Sequence, residues 1–95
     1  LTIFFISFGA SAKKTIYKCG IQWFKVEENK KIRSLFVRID GKWHYGCFAK
    51  IGTDSFKCKG NGQKMEYYVL DELTKQHSYK DNLWGIRTFP CDIIK

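Results

Sequence analysis

Cys19, Cys47, Cys58 and Cys91 are the residues of this 95-residue chain whose chemistry is most constrained by spacing. None forms a Cys-x-x-Cys pair, and neither His44 nor His77 stands where a zinc finger needs its partner, so no metal site and no cofactor is expected. In an oxidising compartment four thiols close two disulfides, in one of three connectivities. The preferred pairing joins Cys19 to Cys91, tying the ends of the domain together, and Cys47 to Cys58, across a predicted hairpin. Loop-closure entropy values the first at about 4 kcal/mol and the second at about 3 kcal/mol. A domain this small has little core, so such clamps decide whether it folds.

The oxidising compartment is itself an expectation from the first residues. Leu1 to Ala12 carry no charge, run Leu-Thr-Ile-Phe-Phe-Ile-Ser-Phe, and finish Ala10-Ser11-Ala12 before Lys13 and Lys14. This reads as the C-terminal part of a secretory signal peptide, with a buried N-terminal strand as the alternative. The run is shorter than the roughly 20 apolar residues of a membrane span, so no stable membrane insertion is expected. Residues 13–95 then form a single secreted domain.

Lys and Arg number 17 against 9 Asp and Glu, a formal net charge of +8 that falls wholly after the uncharged leader. A positive field of that size on a small domain suits a polyanion such as RNA, although scattered lysines also serve solubility alone. Aromatic residues make up 17% of the chain, which supports a folded module rather than a disordered peptide. Trp23, Phe24, Tyr67, Tyr68 and Trp84 are core candidates by default. Any left exposed beside Lys57, Lys59 and Lys64 could stack bases of single-stranded RNA, which makes Lys57, Lys59, Lys64, Tyr67 and Tyr68 the binding candidates.

These side chains must be placed by a short list of elements. Thr15 to Cys19 reads as a strand. From Val26 the period changes: Glu27 and Glu28 precede Lys30, Lys31 and Arg33 as a helix dipole favours, and Ile32, Leu35, Phe36 and Ile39 fall at helical spacing. The spacing predicts a helix from Val26 to Ile39 stopped by Asp40-Gly41, against a competing strand over Ser34 to Asp40. Trp43 to Ile51 alternates as a strand, Gly52-Thr53 turns it into Asp54 to Lys59, and the resulting register sets Cys47 opposite Cys58. Gly60-Asn61-Gly62 marks another turn before a strand over Lys64 to Leu70. Asp71 to Asn82 reads as a looser polar stretch, and Gly85 to Cys91 as the last strand. The expected class is α+β, one helix packed on a curled antiparallel sheet.

Tyr17-Lys18-Cys19 just after the leader, the cysteine frame and the order helix then sheet resemble the ribonuclease-like effectors secreted by powdery-mildew fungi, whose fold is related to the microbial guanyl-specific ribonucleases. That resemblance locates three loose motif matches in order: Trp43-His44-Tyr45, Glu66-Tyr67-Tyr68-Val69-Leu70 and Gly85-Ile86-Arg87-Thr88-Phe89. By analogy with those enzymes Glu66 would be the base, His44 its helper, and Arg87 the phosphate clamp, which also makes Arg87 an RNA-binding candidate. Both motif prolines are replaced, by Trp43 and Tyr68, and Ile86 stands for the aspartate before the arginine. No histidine follows Arg87 to act as the acid, a loss of about 100-fold to 10,000-fold. The resemblance therefore implies a secreted virulence effector without catalysis, in which His44, Glu66 and Arg87 are vestiges. It would be translocated into the cytoplasm of a plant host, where it binds host protein, an immune receptor, or host RNA or ribosomes. An active ribonuclease or ribotoxin is the alternative. A cysteine-clamped β-sandwich effector of the kind made by blast fungi is a third reading, and it requires Val26 to Ile39 to be strand.

Overall fold

A computed structural model describes residues 13–60 and 65–95, and the leader, Lys64 and the Asn61-Gly62 part of the predicted turn lie outside them. Within the described residues the chain is all strand: β1 (Lys13–Cys19), β2 (Gln22–Glu28), β3 (Ile32–Ile39), β4 (Lys42–Lys50), β5 (Ser55–Lys59), β6 (Met65–Asp71), β7 (Gln76–Asp81) and β8 (Gly85–Ile94). The expected α+β class is thereby overturned. The ladder order is β4-β3-β2-β1-β8-β7-β6-β5, so two four-stranded antiparallel meanders meet along β1 and β8 and curl into a nearly closed barrel.

The predicted helix over Val26 to Ile39 is a hairpin, and each cue that suggested a helix has a β explanation. Asn29 Oδ1 accepts hydrogen bonds from the backbone N–H of Lys31 at 2.8 Å and of Ile32 at 3.0 Å, which folds the chain back in mid-segment. The acidic-then-basic order is cross-strand pairing, since Glu28 stands opposite Arg33 and bonds it through Nε at 2.9 Å. Of the four residues at helical spacing only Leu35 is fully buried, and Phe36 lies on the outer surface among other rings. Asp40-Gly41, with φ of 52° and 76°, is a two-residue hairpin turn of the type in which both residues adopt positive φ, not a helix stop.

The looser stretch over Asp71 to Asn82 contains β7. Asp71 Oδ1 accepts from the N–H groups of Leu73 and Thr74, and Asp81 Oδ1 does the same for Leu83 and Trp84. Two identical aspartate-built turns thus bracket a short polar strand whose only fully inward anchor is His77.

Buried residues recur at every second position: Tyr17 and Cys19, Phe24 and Val26, Arg33 and Leu35, Phe56 and Cys58. With Leu70 and Cys91 the apolar members form one core along the barrel axis. Full burial of Phe24, Leu35, Phe56 and Leu70 contributes about 1.5 to 3 kcal/mol each.

Both expected disulfides are present, and they sit at the two joints between the meanders. Cys19–Cys91 spans a Cα–Cα distance of 4.1 Å within the β1–β8 ladder. Cys47–Cys58, at 5.5 Å, links β4 to β5, which pair with β3 and β6 respectively. The hairpin turn is real, with Thr53 N–H donating to Lys50 C=O at 3.2 Å. The expected ladder beyond it is not formed, and the disulfide fastens that seam instead. Gly46, skipped where Leu35 pairs with Cys47 and Phe36 with Tyr45, lets the seam close: a Cβ there would lie 2.5 Å from the Tyr68 hydroxyl and 3.1 Å from the Leu35 carbonyl oxygen.

Candidate functional site

The three residues of the ribonuclease analogy are held apart by the strand order. His44 is exposed on β4 opposite Val37, and Arg87 is exposed on β8 opposite Tyr79. Three strands separate β4 from β8 in either direction round the barrel. Glu66 lies on β6 and is engaged by Lys80, Nζ to Oε2 2.8 Å. No common phosphate position within hydrogen-bond reach of all three is built.

The RNA-binding candidates divide by strand parity. Lys57 and Lys59 point outward from β5, Tyr67 stands opposite Lys59, and the Lys57 ammonium lies 4.5 Å from the Tyr67 ring centroid. Tyr68 has the opposite parity: it packs on the core against Phe24, 6.2 Å between centroids, and burial pushes its hydroxyl pKa up. Its ring faces the lumen and so forms no part of an outer stacking surface, and Lys64 lies outside the described residues.

A larger basic and aromatic surface on the outer face of β1 to β4 was not evident from the sequence. Lys18 on β1 lies 5.6 Å from the Trp23 ring on β2, and the Arg38 guanidinium on β3 approaches the same ring at 5.6 Å. Lys25 sits 4.9 Å from Phe36 and 5.0 Å from Trp43, while Phe36 meets Tyr45 edge-on at 5.9 Å. Trp23, Phe36 and Trp43 are partly exposed and Tyr45 is 58% exposed, and within this array only Glu27, 3.1 Å from Lys25, offsets the positive charge. Its sequence signal is the period-two placement of Trp23, Lys25, Phe36, Arg38 and Trp43, which becomes visible only once residues 26 to 39 are read as two strands.

The two ends of the lumen differ. At the end formed by the β2–β3, β4–β5 and β6–β7 turns, Arg33 is buried and bonds Glu28, Glu72 through Nη2, and the Thr53 carbonyl at 2.7 Å. Tyr17 donates its hydroxyl to the other Glu72 oxygen at 2.7 Å. Burial and the Glu72 carboxylate both raise the Tyr17 pKa, so the phenol stays protonated. Burial alone would lower the Arg33 pKa, and the bonds and charges of Glu72 and Glu28 outweigh it. This network plugs the barrel.

Among the described residues the opposite end is open. A cavity of about 380 Å³ is walled by Phe24, Val37, Ile39, Met65 and Tyr68, with Lys59 and His44 at its lip. His77 borders it from β7, 4.7 Å from Phe24 between centroids, with Nδ1 3.0 Å from the Val69 carbonyl oxygen. That contact places the proton of the neutral ring on Nδ1, and desolvation lowers the pKa of the imidazole.

Comparison with known proteins places no relative beside this barrel: no family model, no curated protein and no solved structure matches the chain.

Proposed function

We propose that this chain is a secreted, non-enzymatic binding protein of the effector kind, and that its ligand is single-stranded RNA held on the outer face of β1 to β4. The observation that carries the reading is the interleaving of Lys18, Lys25 and Arg38 with Trp23, Phe36 and Trp43 on one continuous sheet face. Cations there meet phosphate while neighbouring rings stack bases, a combination tolerant of sequence. Lys57, Lys59 and Tyr67 extend the same surface across the β4–β5 seam. Two disulfides suit an oxidising compartment. The dispersal of His44, Glu66 and Arg87 weighs against the ribonuclease alternative.

The test is fluorescence anisotropy of a labelled 20-nucleotide uridine strand with the oxidised protein, across about 50 to 200 mM salt. K18E/R38E is compared with K30E/K31E, which makes the same change in net charge in the β2–β3 turn at the other end of the barrel. A tenfold or greater weakening confined to the first variant, with a shallower salt slope, supports the interface. Equal losses in both variants, or no salt-dependent binding, exclude it, and cleavage of the strand would reinstate the enzyme reading. A host protein remains the partner to seek if RNA is not bound.

A further inference from the structure

The open end of the lumen combines three features that the outer face does not share. Its walls are apolar and inward-facing, from Phe24 and Val37 at depth to Ile39 and Met65 near the lip. An eight-stranded barrel has an interior just wide enough to be filled by side chains or to hold one small ligand, and about 380 Å³ lies at the lower end of ligand-pocket volumes. Two turns at this end carry apolar residues where solvent favours polar ones: Ile21 is 99% exposed in the β1–β2 turn, and Leu83 and Trp84 are 83% and 74% exposed in the β7–β8 turn. The plugged end also exposes Ile51 and Leu73, but Arg33 and Glu72 close the lumen beneath them.

The charge at the lip selects the ligand. Lys59 and His44 line the opening, and among the described residues neither Asp nor Glu contributes to the lining. His77, the imidazole deeper in, has its pKa lowered by burial and its Nδ1–H engaged by the Val69 carbonyl, so it is no counter-ion for a buried anion. A carboxylate would also lose its hydration at depth without a cation to replace it. The favourable arrangement sets an anionic head at the Lys59 lip and an apolar chain inward against Phe24, Val37 and Met65.

We propose that the barrel mouth is a binding site for a single-chain aliphatic carboxylate, with Lys59 holding the head group and Phe24, Val37, Ile39 and Met65 enclosing the chain. Of the residues proposed to hold RNA the site shares only Lys59, and the comparison of acid with ester tests it independently of RNA binding. The experiment is calorimetric titration of the oxidised protein with dodecanoate and with methyl dodecanoate, with folding of each variant checked by amide NMR spectra. Dodecanoate is expected to bind at micromolar concentration and the ester at least tenfold more weakly. Lys59→Glu should cost dodecanoate at least tenfold, Ile39→Trp should abolish binding by filling the lip, and K30E/K31E should leave it unchanged. No binding by the folded protein, equal affinity for acid and ester, or undiminished binding by folded Ile39→Trp would each overturn the assignment.

Discussion

Removing the two disulfides one at a time should separate two kinds of stability that a barrel closed at two joints keeps distinct. Cys19–Cys91 closes a span of 72 residues and Cys47–Cys58 one of 11. On the unfolded-chain argument their loss costs about 4.4 and about 2.8 kcal/mol respectively. With a guanidinium slope of about 2 kcal/mol/M for a domain of this size, the C19S/C91S midpoint should fall about 0.8 M further than that of C47S/C58S. Local opening should rank the other way. The β1–β8 joint keeps its four paired positions, Ile16 with Ile94 to Cys19 with Cys91, when its bridge is removed. The β4–β5 joint has no ladder to keep, so C47S/C58S should release β4 from β3 and β5 from β6 by fraying. Amide exchange in those strands should then run well ahead of global unfolding, whereas β1 and β8 in C19S/C91S should exchange only at the global rate. A lower midpoint for C47S/C58S, or the same exchange pattern in both variants, would refute the argument, because either would mean that the seam is held by something other than its covalent bond.

Three further predictions follow from the core and the plug. Gly46→Ala places a methyl group against the Tyr68 hydroxyl and the Leu35 carbonyl, and should cost about 1 to 3 kcal/mol in chemical denaturation, with Tyr68→Phe restoring part of the loss. Glu72→Gln removes one of the two carboxylates facing buried Arg33 and should destabilise by about 3 kcal/mol, while R33M/E72L should recover only part of that loss, since Glu28 and the Tyr17 hydroxyl then lose their partners. His77 has its pKa lowered by burial, so its contribution is complete above the unfolded value near 6.5 and is lost as pH falls below it, the unfolded chain taking up the proton first. Stability should then decline from about pH 6.5 towards 5 with a slope of at most about 1.4 kcal/mol per unit, and denaturation of His77→Phe over that range should lack this component.

The cysteine pairing was legible because it depended on chain ends and on a turn, both local facts. So were most strand positions after Gly41, where Trp43 to Ile51 alternates cleanly. The segment from Val26 to Ile39 misled because two strands joined by a tight turn can place Ile32, Leu35, Phe36 and Ile39 at helical spacing while directing only some of them inward. Two signals outweighed it physically: Asn29 with its two backbone donors, and Asp40-Gly41 as a hairpin turn rather than a stop. Once the helix is lost, so is the geometry that made His44, Glu66 and Arg87 a set. Separations of 21 and 22 residues carry no information on which face or which side of a barrel a side chain occupies. Tyr68 follows the default core reading of its ring and not its candidate role in stacking, because it shares the inward parity of Leu70 two residues along β6.

The difference between the two ends of the lumen is written along individual strands. Inward positions of β3 run Arg33, Leu35, Val37, Ile39, and those of β2 run from Glu28 through Val26 and Phe24 to Gln22, so charge is confined to the plugged end, with apolar side chains in the middle and the uncharged Gln22 at the open rim. A buried guanidinium is tolerated only where every donor finds an acceptor, and Glu28, Glu72 and the Thr53 carbonyl come from three different turns or strand ends. That requirement ties those elements together and fixes one end of the barrel. At the other end Val37 and Ile39 ask for no such partner, and nothing compels the turns there to close over them. A fixed end and an open apolar end are what a binding barrel needs: the plug holds the strands in register, so that filling the mouth need not reorganise the wall.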